Sequence, residues 1–241
     1  MNSSLANYIA ETLPTNSTKI VLLDFAASKM TTRYYESLLS KDEVSRLNKI
    51  TLDSRRKQFI ITRAITRTVI ADTIQAAHSD IEFALNEYGK PYCSRPKNVI
   101  HFNISHSNDF GIIALNCDHK TGIDIQHQRP QKQILKLAKR FFASEEIQLL
   151  EQSGENQLND IFYRIWARKE ALLKSTGTGL AHGLSRYTVV TDKFESAHCL
   201  IDVANCTYYI SDIPAPDQYS AALATHNSNP DIVLNQWQHP E

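Results

Sequence analysis

The chain has 241 residues, 42% hydrophobic and 22% charged, which suits one large or two small globular domains and excludes a fibrous or disordered chain. Basic and acidic side chains balance at 26 each, so a broad nucleic-acid surface is not expected, and any polyanion bound here must be small and met by a local cation cluster. No run approaches the ~20 apolar residues of a membrane span, the polar start (Met1 to Ile20) does not read as a signal peptide, and Cys93, Cys117, Cys199 and Cys206 lack zinc or redox spacing, so a soluble cytoplasmic protein with free thiols is expected.

Along the chain, Ile20 to Phe25 is a short branched apolar run and predicts a buried strand. Lys41 to Thr51 places Val44, Leu47 and Ile50 at helical spacing. Arg55 to Ala77 predicts a long amphipathic helix, with Phe59, Ile60, Ala64, Val69 and Ile70 inward and Arg56, Lys57, Arg63 and Arg67 on the outer face. Asn86 to Pro96 carries Gly89, Pro91 and Pro96 and reads as loop. Val99 to Ile104, Phe110 to Leu115 and Thr121 to Gln126 read as strands, the last two joined as an antiparallel hairpin by a turn on Asn116, Asp118 and Gly122. Ile134 to Leu150 reads as helix, and Asp160 to Lys174 as a second long helix ended by Gly177 and Gly179. Strands follow near Tyr187 to Val190, Tyr208 to Ile210 and Tyr219 to Ala224, before a polar tail from Asn227. Helices and strands mix without βαβ regularity, which predicts an α+β fold. No internal repeat is visible.

Two segments carry candidate chemistry. In a strand, alternate side chains share a face, so Ile123 and Ile125 point inward while Asp124 and Gln126 share the opposite side. A carboxylate beside a carboxamide offers oxygen ligands to a hard cation. In the second long helix, Trp166, Glu170 and Lys174 fall on one quarter of the circumference, with Arg168 on the solvated back. Glu170 thus sits at the edge of the apolar stripe, where it needs a metal or Lys174 as partner. Between these segments, Ser105 and His106 lie where a strand runs into polar residues, and Lys90 sits on a rigid Gly-Lys-Pro turn. Taken singly, each reads as well as an ordinary structural residue, and Glu170 to Lys174 as an i,i+4 ion pair.

The ordered set Gly89-Lys90-Pro91, Phe102-Asn103-Ile104-Ser105-His106-Ser107, Gly122-Ile123-Asp124-Ile125-Gln126 and Trp166-x-x-Lys169-Glu170-Ala171-x-x-Lys174 resembles the 4′-phosphopantetheinyl transferases of the surfactin (Sfp) type. Ala138-Lys139-Arg140-Phe141-Phe142 before Glu145, and Gly177-Thr178-Gly179-Leu180, fit the same pattern, so the match runs from about Lys41 to Leu180. The resemblance implies a pseudo-dimer of two similar α+β subdomains, residues 1–120 and 121–241, with the active site in the cleft between them. It implies transfer of the phosphopantetheine arm of coenzyme A to a serine of an apo acyl or peptidyl carrier protein, releasing adenosine 3′,5′-bisphosphate, with a monomer sufficient. By the same motif match Asp124 and Glu170, with Gln126, would hold Mg²⁺. Glu170 would act as base and Lys174 would stabilise the leaving group. Ser105 and His106 would contact coenzyme A phosphates, and Lys90 and Pro91 would border the adenine. Trp166 and Lys169 would shape the helix and not do chemistry.

Two positions depart from the pattern. The family often has Glu where Gln126 stands, which implies a weaker or water-mediated contact to the metal. It also tends to place Arg before the Phe of the first long helix, where this chain has Gln58, so the 3′-phosphate contact passes to Arg46, Arg56 or Lys57. No glycine-rich loop of the P-loop type supports a different phosphoryl transferase.

Overall fold

The computed structural model describes residues 13–14, 16–27, 32–177, 183–191, 194, 198–203, 205–226 and 230–238. Thr178, Gly179 and Leu180 of the sequence pattern lie outside the described residues.

The chain opens with β1 (Ser17–Asp24), then α1 (Thr32–Ser37), α2 (Lys41–Leu47) and the long α3 (Asp53–Ile74). Ser40 starts α2 through a reciprocal cap: its hydroxyl accepts Glu43 N–H and the Glu43 carboxylate accepts Ser40 N–H. β2 (Glu82–Leu85) and β3 (Pro91–Arg95) form a two-stranded hairpin, and β4 (His101–Ser107) and β5 (Phe110–Asn116) follow. The second half runs β6 (Thr121–His127), α4 (Ile134–Phe141), α5 (Ser144–Gln152), α6 (Glu155–Thr176), β7 (His198–Val203), β8 (Cys206–Ile213), β9 (Tyr219–Thr225) and β10 (Asp231–Gln236).

Two four-stranded sheets result, ordered β10-β1-β5-β4 and β6-β9-β8-β7. The helix α3 buries Ile61, Ile65 and Ile70 in a core with β1 and β5 residues of the first sheet, and α6 buries Phe162, Ile165 and Leu172 in a core with the second. A third cluster joins the sheets: Ile20, Ile112 and Ala114 of the first meet Ile123, Ile125, Ile213, Ala221 and Leu223 of the second. Burying each isoleucine there is worth about 1.5–3 kcal/mol, so the halves form one body.

The halves repeat an architecture that no sequence repeat announces. Both α3 and α6 have 22 residues, and Arg67 and Lys169 are each the fifteenth, counted from Asp53 and Glu155. Arg67 meets Glu43 at 2.6 Å and Lys169 meets Glu146 at 2.7 Å, and both acids are the third residue of the short helix before. Arg67 is therefore a buried strut, not one of the outer-face cations expected of it. Arg168 departs from expectation in the same way: it is 1% exposed and clasps Asp212 with two nitrogens, at 2.6 and 2.7 Å.

Several boundaries also differ. Pro91 opens β3 inside the segment read as loop, which a first-strand position allows because no ladder N–H is needed there. Phe110 to Leu115 and Thr121 to Gln126 do not pair with each other; β5 pairs with β4 and β1, and β6 with β9. The Asn116 side chain accepts Asp118 N–H and His119 N–H in a turn that carries the chain from one sheet to the other. Ile134 to Leu150 is two helices, broken at Phe142 and Ala143, where Glu146 caps the second by accepting Ala143 N–H at 2.8 Å. Residues 187–190 form no strand, although Val189 is buried. The polar tail contains β10, which pairs in parallel with β1, so the last strand of the chain completes the first sheet. The four cysteines are free thiols.

Candidate active site

Strand β6 and the final turns of α6 lie in direct contact, and Gly122 makes this possible. A Cβ at that position would stand 2.1 Å from Ala171 O and 2.4 Å from Ser175 N, so any side chain would drive strand and helix apart. Two residues on, Asp124 points at the helix while Ile123 and Ile125 are fully buried on the opposite face, as the alternation predicts.

Asp124 Oδ1 receives Lys174 Nζ at 2.5 Å and Ser105 Oγ–H at 2.7 Å, and Lys174 also donates to Ser105 Oγ at 2.9 Å. Gln126 Nε2 donates to Asp124 Oδ2 at 2.8 Å, confirming that the two side chains share a face. The Asp124 side chain is 2% exposed and that of Lys174 is 27% exposed, so the carboxylate is buried while the ammonium stays partly open to solvent. Glu170 lies one turn before Lys174. Burial and then the Asp124 charge push its carboxyl above the usual range, with Lys174 opposing. None of the described residues donates a hydrogen bond to it.

Two desolvated carboxylates repelling each other, with a carboxamide alongside, form an oxygen donor set that suits a hard divalent cation. Among the described residues no three His, Cys, Asp or Glu side chains gather as a metal site, so such an ion would rest on Asp124 and Glu170 with Gln126 in the third place. Phosphate oxygens and water would supply the rest, as is usual for Mg²⁺.

Two cavities adjoin this point and share Pro91. The larger, about 720 Å³, is lined by Arg46, Lys49, Arg55, Gln58, Arg63 and His106 among others. Burial, then the Lys174 charge, hold His106 below the ordinary imidazole value, and Asp124 and Arg55 also act on it. The smaller, about 440 Å³, is lined by Tyr88, Lys90, Pro91, His101 and Lys120 among others. Burial, then Lys120 and Lys174, bring Lys90 down to about 8. A cation-lined space beside two carboxylates suits a small polyanion.

Comparison with known proteins gives the family. Residues 25–118 match the family profile "4′-phosphopantetheinyl transferase, N-terminal", and residues 120–224 match "4′-phosphopantetheinyl transferase superfamily". A protein of Synechocystis sp., provisionally named a 4′-phosphopantetheinyl transferase, is 34% identical over 222 residues, covering 84% of this chain and 89% of its own. The chain belongs to the 4′-phosphopantetheinyl transferase superfamily. It is an enzyme of the Sfp type, a transferase. The transferase Sfp of Bacillus subtilis is 28% identical, covering 90% of this chain and 96% of its own. The transferase HetI of Nostoc sp. is 34% identical over 145 residues, 59% of this chain and 61% of its own.

Of the residues singled out in the sequence, the transferase brings Asp124, Gln126, Glu170, Lys174 and Ser105 together, and sets Arg46, Pro91 and His106 on the larger cavity. Ser105 faces Asp124 while the next residue, His106, lines that cavity. Arg56 and Lys57 are not among its lining residues. Arg56 instead donates to Leu47 O and Ile50 O at 2.8 and 3.1 Å, capping carbonyls at the end of α2 and in the turn that follows it. Lys90 donates to Thr121 O and Lys174 O, a structural bond that the turn motif did not reveal. Lys49, Arg55 and Arg63 line the larger cavity unforeseen. Their positive charge was visible in the sequence, but which face it served depended on where the hairpin β4–β5 folds back; Gln58 marks this by donating to Asn108 O at 2.8 Å. Lys169 is spent on Glu146, Leu184 O and Tyr187 O, and Trp166 packs on Phe141, Phe142 and Phe162, so both shape the helix. No described helix is long and apolar enough to cross a membrane.

Proposed function

We propose that this transferase moves the 4′-phosphopantetheine group from coenzyme A to the serine hydroxyl of an apo acyl or peptidyl carrier protein, in a Mg²⁺-dependent reaction that releases adenosine 3′,5′-bisphosphate. The observation that carries this is the pairing of Asp124 with Glu170 across the β6–α6 contact, with Lys174 bonded to Asp124. The bisphosphate half of coenzyme A suits the Arg46, Lys49, Arg55, Arg63 and His106 cavity, and the adenine lies against Pro91.

Mg²⁺ held by Asp124, Glu170 and Gln126 would neutralise phosphate charge in the transition state. The serine oxygen attacks the β-phosphorus, forming a new P–O bond as the bond to the bridging oxygen of the α-phosphate breaks. Glu170 takes the serine proton, directly or through a water, and burial with the nearby Asp124 charge raises its affinity for protons, in the direction a base needs. Lys174 exchanges its bond to Asp124 for the α-phosphate side and stabilises the departing bisphosphate, to which the electron pair goes. Ser105 keeps the Asp124 carboxylate oriented during that exchange. One chain carries both halves of the site, so a monomer suffices.

The carrier would approach past α4, where Lys136, Lys139 and Arg140 are exposed with Lys132 just ahead, a basic rim for an acidic partner. The test is to incubate the protein with coenzyme A, Mg²⁺ and an apo-carrier and weigh the carrier. The reading requires a gain equal to the phosphopantetheine arm, abolished by a chelator. Binding of the carrier without any mass gain would instead indicate a module that retains the fold and lacks turnover.

A further inference from the structure

Among the described residues, the strand β6 pairs with β9 along one edge only. Its other edge faces β4, with no strand ladder between them, and side chains fill the role of the missing neighbour. Asn103 Oδ1 accepts Ile123 N–H at 2.9 Å, and Ser107 Oγ accepts His127 N–H at 3.0 Å. Farther along, Thr121 O receives Lys90 Nζ and Ile123 O receives Lys174 Nζ, each at 3.2 Å. Residues 121, 123 and 127 alternate along the strand, as expected for groups that point away from β9.

Asn103, Ser105 and Ser107 rise from one face of β4, and the two outer members bond to the β6 backbone while the middle one bonds to Asp124. The four-residue step from Asn103 to Ser107 matches that from Ile123 to His127, so the two contacts act as pins at a fixed register. Register matters here because a one-residue slip would turn Asp124 away from α6 and Ile123 toward it. Asn103 is 4% exposed and touches no part of the cation-lined cavities, which separates it from the groups that meet substrate.

We propose that Asn103 is a positioning residue for the transfer reaction, with Ser107 as its companion: the two side chains stand in for a strand along the free edge of β6 and hold Asp124 where Ser105 and Lys174 meet it. The proposal rests on the reading of the site given above. Asn supplies an uncharged acceptor on a short arm. Leucine keeps its size and loses the acceptor, whereas aspartate keeps the acceptor oxygen.

The experiment compares wild type, Asn103→Leu and Asn103→Asp by initial transfer rates, with kcat and the coenzyme A KM separated, and by hydrogen exchange at the Ile123 amide. Asn103→Leu is expected to lower kcat by about tenfold or more, the scale of small misplacements at reacting groups, with KM changed less than about twofold and faster Ile123 exchange. Asn103→Asp is expected to recover most of both. A wild-type kcat in Asn103→Leu, or an Asn103→Asp variant as slow as Asn103→Leu, overturns the proposal. Should Asn103→Leu fail to fold, Ser107→Ala against Ser107→Thr makes the same comparison at the His127 amide: loss and recovery support it, and equal rates overturn it. A wild-type protein that transfers nothing defeats the functional reading instead, and Ile123 exchange then decides the pinning alone, with unchanged exchange in Asn103→Leu counting against it.

Discussion

Asp124 spends both carboxylate oxygens on neighbours, Oδ1 on Lys174 and Ser105 and Oδ2 on Gln126, while Glu170 receives no hydrogen bond from any described residue. This asymmetry separates their parts: Asp124 is the fixed side of the pair and Glu170 is the carboxylate left available for a cation or a proton. Gln126 completes the face without adding charge. Replacing it by glutamate puts a third carboxylate on that face, so Gln126→Glu is expected to lower the Mg²⁺ concentration at half-maximal rate several-fold. A Mg²⁺ titration of the initial rate measures this, and an unchanged midpoint would show that Gln126 has no share in metal binding. The alternation of β6 and the 3.6-residue turn of α6 made Asp124, Gln126, Glu170 and Lys174 legible in the sequence. The same local rules misplaced Arg168, because its partner Asp212 lies 44 residues away on β8 and no periodicity announces a long-range buried ion pair.

At the scale of elements, the site depends on how closely a strand can lie against a helix. Gly122 sets that distance, since the atoms a Cβ would strike are backbone and cannot swing aside. Gly122→Ala is expected to destabilise the protein by about 1–3 kcal/mol, the usual cost of overpacking, and to slow transfer by separating Asp124 from Glu170 and Lys174. Thermal unfolding alongside initial rates checks this; an alanine variant with wild-type Tm and rate would mean the contact has no such role. Most long elements were legible from composition: α3 and α6 from their apolar stripes, β1, β5 and β9 from branched or apolar runs. Pairing was not. The β5–β6 hairpin looked sound locally, yet Ile123 and Ile125 bury more completely between two sheets than a two-stranded ribbon would allow. For β10, exposed at nearly every position, backbone pairing to β1 decides the conformation, and the side chains carry little signal of it.

For the whole molecule, two halves of like design meet through an apolar cluster, and the candidate site draws side chains from both: Ser105 from the first, Asp124, Glu170 and Lys174 from the second. The buried pairs Glu43–Arg67 and Glu146–Lys169 occupy matching places, which composition and residue identity concealed because arginine in one half answers lysine in the other. The proposed carrier surface belongs to this scale too. Reversing charge at Lys136, Lys139 and Arg140 is expected to raise the carrier KM several-fold with the coenzyme A KM unchanged, since rim charges steer encounter more than they hold the bound ligand; steady-state kinetics varying one substrate at a time measures both, and an unchanged carrier KM would remove the rim from the docking surface. The central claim, that Asp124 and Glu170 support Mg²⁺-dependent phosphopantetheine transfer from coenzyme A, is tested most directly by counting products. With wild-type protein, one adenosine 3′,5′-bisphosphate should form for each carrier that gains the arm, and Asp124→Ala and Glu170→Ala should each lower both by about a hundredfold or more. Bisphosphate release without carrier modification, or full activity in either variant, would contradict it.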